Sequence, residues 1–225
     1  MTGLRLDLHV HSRHSPDSRL TLDELVRRLP DTGLRGFALT DHNSVAGHAE
    51  LAELRRTYPT YLFLPGVEVS TVEGHLLVYG LSECPPPRRP IAETIDWVRE
   101  HGGEPVLAHP FRLRHGVGAR LAESLSVSGI ETRNGHNSEV ANTKAELLAA
   151  RRELAATGGS DVHALPDLGR AWTGFPEDAR TVDDLLEAIR RRRTTAEGSS
   201  TSWGGRVRLA VVTGGKFLRR GFRSV

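Results

Sequence analysis

The chain of 225 residues has one cysteine, Cys84. A disulfide framework is therefore excluded, and so is a zinc site built on paired thiolates. A lone thiol suits a reducing compartment. No apolar run approaches the roughly 20 residues that a membrane-spanning helix needs. The opening stretch MTGLRLDLHVH lacks the basic-then-apolar order of a secretory signal. The expectation is a soluble, cytoplasmic protein with no membrane partner. Lysine is nearly missing, at Lys144 and Lys216 only, which fits base composition better than function. Neither a GxSxG elbow nor a GxxxxGK[ST] loop occurs, so nothing suggests a serine nucleophile or a P-loop.

Charge of one sign is also scarce, since 30 Lys+Arg face 28 Asp+Glu, a net of +2. That balance conceals an asymmetry. Residues 199–225 carry six basic side chains and no acidic one, leaving 24 basic against 28 acidic in 1–198, a net of −4. Hydrophobic residues at 38% and charged ones at 26% describe a globular chain long enough to bury a core. Histidine is plentiful, with 11 residues.

Short apolar runs alternate with helical patterns. Leu4 to Val10 alternates with period two and predicts a strand. Thr21 followed by Glu24 predicts a capping box before Leu25. Further strands are expected at 36–40, 61–64, 67–70, 75–79, 105–108, 129–132 and 157–160, and helices at 47–56, 91–100, 138–155 and 182–193. A turn at Glu73-Gly74 should join the strands on either side. This order predicts an α/β fold with a mostly parallel sheet. Polar residues recur at the strand ends: His9 and His11, Asp41 and His42, Glu68, His109, Glu131, Asp161 and His163. In a barrel those ends share one mouth, so a barrel made irregular by the 67–79 hairpin is expected.

His9 and His11 share one face of a strand and can grip one ion. Asp17 lies in the loop beyond. His42 ends a buried run, Glu68 sits between Val67 and Val69, and His75 opens the facing strand. With His109, Asp161 and His163 these make six histidines and three carboxylates. All are nitrogen or oxygen donors, which suits zinc, manganese or iron, and nine ligands suit two or three ions.

The segments DLHVHSRHSPDS, LTDHNSVAG, PGVEVS with EGHLLVYG, AHPFR and GSDVH, in that order over Asp7–His163, resemble the PHP (polymerase and histidinol phosphatase) family of metal-dependent phosphoesterases. The resemblance implies a distorted (β/α)7 barrel with its metal site at the C-terminal ends of the strands. It implies one ion on His9, His11, Glu68 and Asp161, a second sharing Glu68 with His75 and His109, and a third on Asp17, His42 and His163. His14, His48, His101, His115 and His136 are expected in loops or on helix surfaces and not among the ligands. The phosphoesterase domain should cover 1–198, with a basic extension at 199–225.

The expected reaction is phosphoester hydrolysis by a metal-activated hydroxide at a dinuclear or trinuclear site. Arg112, in AHPFR, is the leading cation for a substrate phosphate, followed by Arg170 in LGRAW. Arg133 and Asn134 end a strand towards the same mouth and are further substrate candidates. The expected partner is a small phosphorylated metabolite or nucleotide. The alternative is a nucleic-acid-binding or nuclease-like module that uses the basic extension. Oligomeric state is not legible.

Overall fold

The computed structural model describes residues 3–200. The expected basic extension lies, from residue 201 onward, outside them. Among the described residues nine strands form one sheet: β1 (Leu4–Val10), β2 (Gly36–Leu39), β3 (Leu62–Ser70), β4 (His75–Tyr79), β5 (Glu104–Leu107), β6 (Gly129–Asn134), β7 (Ala155–Gly159), β8 (Ala171–Phe175) and β9 (Thr195–Gly198). Their spatial order is β7-β6-β5-β4-β3-β2-β1-β8-β9. Neighbours among β1, β2 and β3 run parallel, as do those among β5, β6 and β7. β4 is antiparallel to both β3 and β5, and β8 and β9 are added antiparallel beside β1.

The end of β7 folds back onto β1. Asp161 N–H donates to His9 O at 2.8 Å, and His11 N–H to Val162 O at 3.3 Å. The strands β1 to β7 therefore form a nearly closed, seven-stranded barrel. Gly159 permits this approach, because a Cβ there would lie 2.3 Å from His9 Cβ. Leu8, Ala38, Leu64, Leu77, Val106 and Ala155, from six different strands, meet in one buried cluster. Side chains from strands across a ring can meet only in its lumen. The helix α6 (Val182–Arg190) joins the same cluster through Leu185, Leu186 and Ile189.

The other helices are α1 (Leu22–Arg28), α2 (His48–Thr57), α3 (Ile91–Glu100), α4 (Gly118–Ser124) and α5 (Glu139–Arg151). Thr21 and Glu24 form the capping box expected at the start of α1, and Thr181 and Asp184 form another before α6. α1 and α2 cover β1 to β3 through Leu25, Val26 and Leu51, while α3 and α5 cover β4 to β6 through Ile95, Val98 and Leu148.

Three features depart from the sequence reading. The two short strands expected around Pro65 are one strand, β3, which pairs with β2 up to Pro65 and with β4 from Gly66. The proline, lacking an N–H, sits where the strand changes partner. The helix α4, the strand β8 and the edge strand β9 are additions, and β9 is too short and polar to show a pattern. No helix among the described residues is long and apolar enough to cross a membrane.

Candidate metal centre

The parallel strands deliver their C-terminal ends to one mouth. β4 runs the other way and delivers its first residue, His75, to the same place. Glu68, on β3, is 1% exposed and lies at the middle of the cluster. Its Oε1 is 2.7 Å from His75 Nδ1 and 3.0 Å from His109 Nε2. Its Oε2 lies 3.1 Å from His9 Nε2, 3.3 Å from His11 Nε2 and 3.3 Å from His42 Nδ1. Five imidazoles thus surround one buried carboxylate.

Two further carboxylates flank it. Asp161 Oδ1 is 3.3 Å from His11 Nε2 and 3.5 Å from His163 Nδ1. Asp17 Oδ2 is 2.7 Å from His163 Nε2 and 3.4 Å from His42 Nε2. Four groups of donor atoms result: His11, Asp17, His42 and His163; His9, His11 and Asp161; His9, Glu68 and His109; and His42, Glu68 and His75. The structure brings together all nine residues singled out in the sequence. The grouping differs in detail, because His42 faces both Asp17 and the Glu68–His75 pair, and His109 approaches Glu68 together with His9.

The electrostatics of the bare polypeptide are unbalanced. Burial opposes charge on His9 and His11, yet the surrounding carboxylates hold His9 well above the ordinary imidazole range and His11 at about 10. Burial pushes His42 down, and His109 down to about 3. Against burial, the nearby imidazoles hold Glu68 well below the usual carboxylate range. His9 Nε2, His11 Nε2, His42 Nδ1, His75 Nε2 and His109 Nδ1 are buried and, among the described residues, have no hydrogen-bond partner. Buried polar atoms without partners are rare and costly. Imidazole nitrogens converging with carboxylates form a donor set that fits divalent cations, which would displace the protons held on His9 and His11 and take up the freed lone pairs.

Glu131 is the residue the strand-end pattern flagged but to which it gave no role. Its Oε1 accepts from His9 Nδ1 at 2.8 Å, and its Oε2 accepts from His109 N–H at 2.8 Å and Asn134 Nδ2 at 3.0 Å. The first bond turns His9 Nε2 towards Glu68 and Asp161. The second fixes His109, whose φ of 28° lies in the left-handed region.

The expected substrate residues fare unequally. Arg112 reaches the cluster, and its Nη2 is 2.7 Å from both Asp161 Oδ2 and Asn134 Oδ1. Its Nε donates to Asn137 Oδ1 at 3.0 Å. Asn134 also faces the cluster. Arg133 does not, because it pairs with Glu139 and Glu146 of α5. The β6–β7 register shifts between Glu131 and Arg133, which breaks the alternation that would have aimed both residues inward. Arg170 pairs with Asp167 at 3.1 Å rather than with the cluster.

Among the other histidines, His14 faces Glu50, His48 binds Gly66 O, and His101 stacks on Trp97. His115 stacks on His75, with ring centroids 4.6 Å apart. His136 was expected in a loop or on a helix surface, but its side chain is buried, 6.2 Å from the His163 ring and 3.7 Å from Asp167 Oδ2.

A family model described as PHP-associated matches residues 139–194, the segment from α5 to α6. Two uncharacterized proteins of Methanocaldococcus jannaschii are similar to the chain. One is 27% identical over 145 residues, covering 60% of this chain and 84% of its own. The other is 29% identical over 191 residues, covering 81% and 75%. Among solved structures, a candidate metal-dependent phosphoesterase from Bifidobacterium adolescentis superposes with a TM-score of 0.61 at 20% identity, covering 89% of this chain and 98% of that one. A lesion-specific endonuclease from Pyrococcus furiosus superposes with a TM-score of 0.61 at 18% identity, covering 84% and 56%. At these identities the two structures establish likeness of fold.

Proposed function

We propose that the chain is a PHP-family hydrolase of phosphoesters that works with two or three divalent ions, zinc, manganese or iron; the PHP-associated match over residues 139–194 and the donor groups at the barrel mouth support this reading. The observation that carries this reading is the buried Glu68 carboxylate, encircled by five imidazoles with unpartnered nitrogens. His9, His11, Asp17, His42, Glu68, His75, His109, Asp161 and His163 would hold the ions. When bound, such ions supply Lewis acidity towards phosphoryl oxygens and lower the pKa of water.

The chain's own groups do the remaining work. Glu131 orients His9 and pins the backbone at His109. Asn134 and Asn137 hold the Arg112 guanidinium rigidly beside Asp161. Among the described residues Arg112 Nη1 has no hydrogen-bond partner, so that edge is available to a phosphoryl oxygen without reorganisation. Asn134 serves as a support for Arg112 in this reading, and Arg170 as a support for Asp167. The preferred substrate is a small phosphorylated metabolite or nucleotide. The likeness of fold to the endonuclease favours a second reading, a phosphodiesterase acting on nucleic acid.

Elemental analysis of purified protein, coupled to a hydrolysis screen of phosphomonoesters, phosphodiesters and nucleotides, tests the proposal. Turnover that disappears on chelation and returns with metal is the expected result. Two or three ions per chain with no turnover of any ester would overturn it.

A further inference from the structure

Beside the candidate metal centre a groove of about 340 Å³ opens against His75. That volume is within the range of small-ligand clefts. Ser70, Thr71, Gly74, His75, Arg88 and His115 line it. One wall is therefore part of the cluster itself, since His75 Nδ1 touches Glu68. The opposite rim comes from two loops, one before α3 and one after β5.

Both loops are clamped to the β3–β4 turn. Arg88 N–H donates to Ser70 O at 2.7 Å, Val72 N–H to Arg89 O at 3.0 Å, and His75 N–H to His115 O at 3.0 Å. Position 74 must be glycine for this contact, because a Cβ there would meet His115 O at 2.8 Å. Arg88 and His115 both adopt left-handed backbone, with φ of 60° and 66°. Non-glycine residues pay strain for that conformation, and such strain concentrates at ligand clamps. The chain thus holds an arginine and an imidazole in unfavourable backbone at the rim of one groove.

The arginine in the groove lining is unpaired: among the described residues the Arg88 guanidinium has neither an ion pair nor a hydrogen bond. The carboxylate in the lining, Glu73, is turned away to the start of α3, where its Oε2 accepts Ile91 N–H at 2.8 Å. Pro90, the N-cap residue there, provides no side-chain cap, so Glu73 is committed to that task.

We propose that this groove receives the part of the substrate beyond the phosphoryl group, and that Arg88 pairs there with a second anionic group. This rests on the phosphoesterase reading and narrows it to small phosphoesters that also carry a carboxylate or a second phosphate. His115, stacked on His75, forms the wall between that group and the metal centre.

Calorimetric binding of two non-hydrolysable probes to the metal-loaded full chain tests the inference. Butylphosphonate carries only the phosphonate, and 4-phosphonobutyrate adds a carboxylate at the far end. The wild type is expected to bind the second about fivefold more tightly, the effect of one partly exposed ion pair. Arg88→Gln should abolish the preference and Arg88→Lys should retain part of it, with thermal melts showing that both variants fold. Equal affinities in the wild type, no binding of either probe, or a preference that survives in Arg88→Gln would each overturn the proposal. The two readings fail separately. A preference without turnover of any ester refutes the phosphoesterase reading alone, while turnover without a preference refutes the second-anion subsite alone.

Discussion

Replacing Glu131 separates positioning from ligation, because Glu131 touches the backbone and the outer edge of the cluster without joining a donor group. Glu131→Ala removes the acceptor for three buried donors; Asn134 Nδ2 keeps Asp161 Oδ2 at 3.4 Å, while His9 Nδ1–H and His109 N–H, each bonded at 2.8 Å, are left unpaired. A buried donor left unpaired costs about 1–3 kcal/mol, so the metal-free protein should lose about 2–6 kcal/mol. Glu131→Gln keeps the shape and one acceptor oxygen but turns an amide N–H₂ towards the other donor. Its loss should be about half as large. The His9 ring would no longer be held in one tautomer, and metal affinity should fall about 10–100-fold. Urea denaturation of chelated protein gives the first quantity, and competition with a chromophoric chelator gives the second. If Glu131→Gln binds metal within twofold of wild type and unfolds at the same urea concentration, the positioning role is wrong.

Arg112→Ala should lower kcat/KM for phosphate esters by about 10²-fold or more, the scale of losing one charge-stabilising donor. Unchanged kinetics at full metal occupancy would remove Arg112 from the site. Gly159→Ala forces a Cβ to within 2.3 Å of His9 Cβ, so the β1–β7 contact must open, at a cost of about 1–3 kcal/mol or more. Thermal melts check this, and an unshifted Tm would contradict the close approach. Burial depresses the pKa of His48 below the imidazole value, so the folded state favours its neutral form. Its contribution to stability is full above the unfolded pKa of about 6.5 and is lost as pH falls through the lower folded pKa. His48→Gln should therefore show a smaller loss of stability on acidification below pH 6.5, measured by urea titration. Chelation should lower Tm by an amount that grows with the metal concentration previously present.

The sequence made the site more legible than the scaffold around it. The donors at His9, His11, His42, His109, Asp161 and His163 were visible because each ends or follows an apolar run, and such polar groups have few other uses there. Glu68 stood out as a charge between two valines. Arg133 was expected at the mouth because it ends a strand there, but a register shift between Glu131 and Arg133 accompanies its pairing with Glu139 and Glu146, and a one-residue irregularity leaves no mark in composition. His136 looked like an ordinary loop residue, since burial of a loop side chain depends on partners such as Asp167 and His163 that are distant in sequence. The strand β9 was invisible because Thr195–Gly198 has no buried side chain, and its pairing with β8 supplies its structure. Arg88 carried no signal at all, because what distinguishes it is a backbone angle and a missing partner.

The seam between β7 and β1 has a consequence for how the protein holds together. Asp161 N–H is bonded to His9 O, and the side chains of the same two residues face one another across the candidate metal centre. An ion held there would act as a rivet through the ring's last joint, linking the beginning of the chain to a point more than 150 residues later. Loss of the rivet should be felt first along that joint. Amide hydrogens of His11 and Asp161 are then the ones expected to exchange fastest when metal is withdrawn, while the β3–β4 hairpin, joined by its own short turn, stays protected.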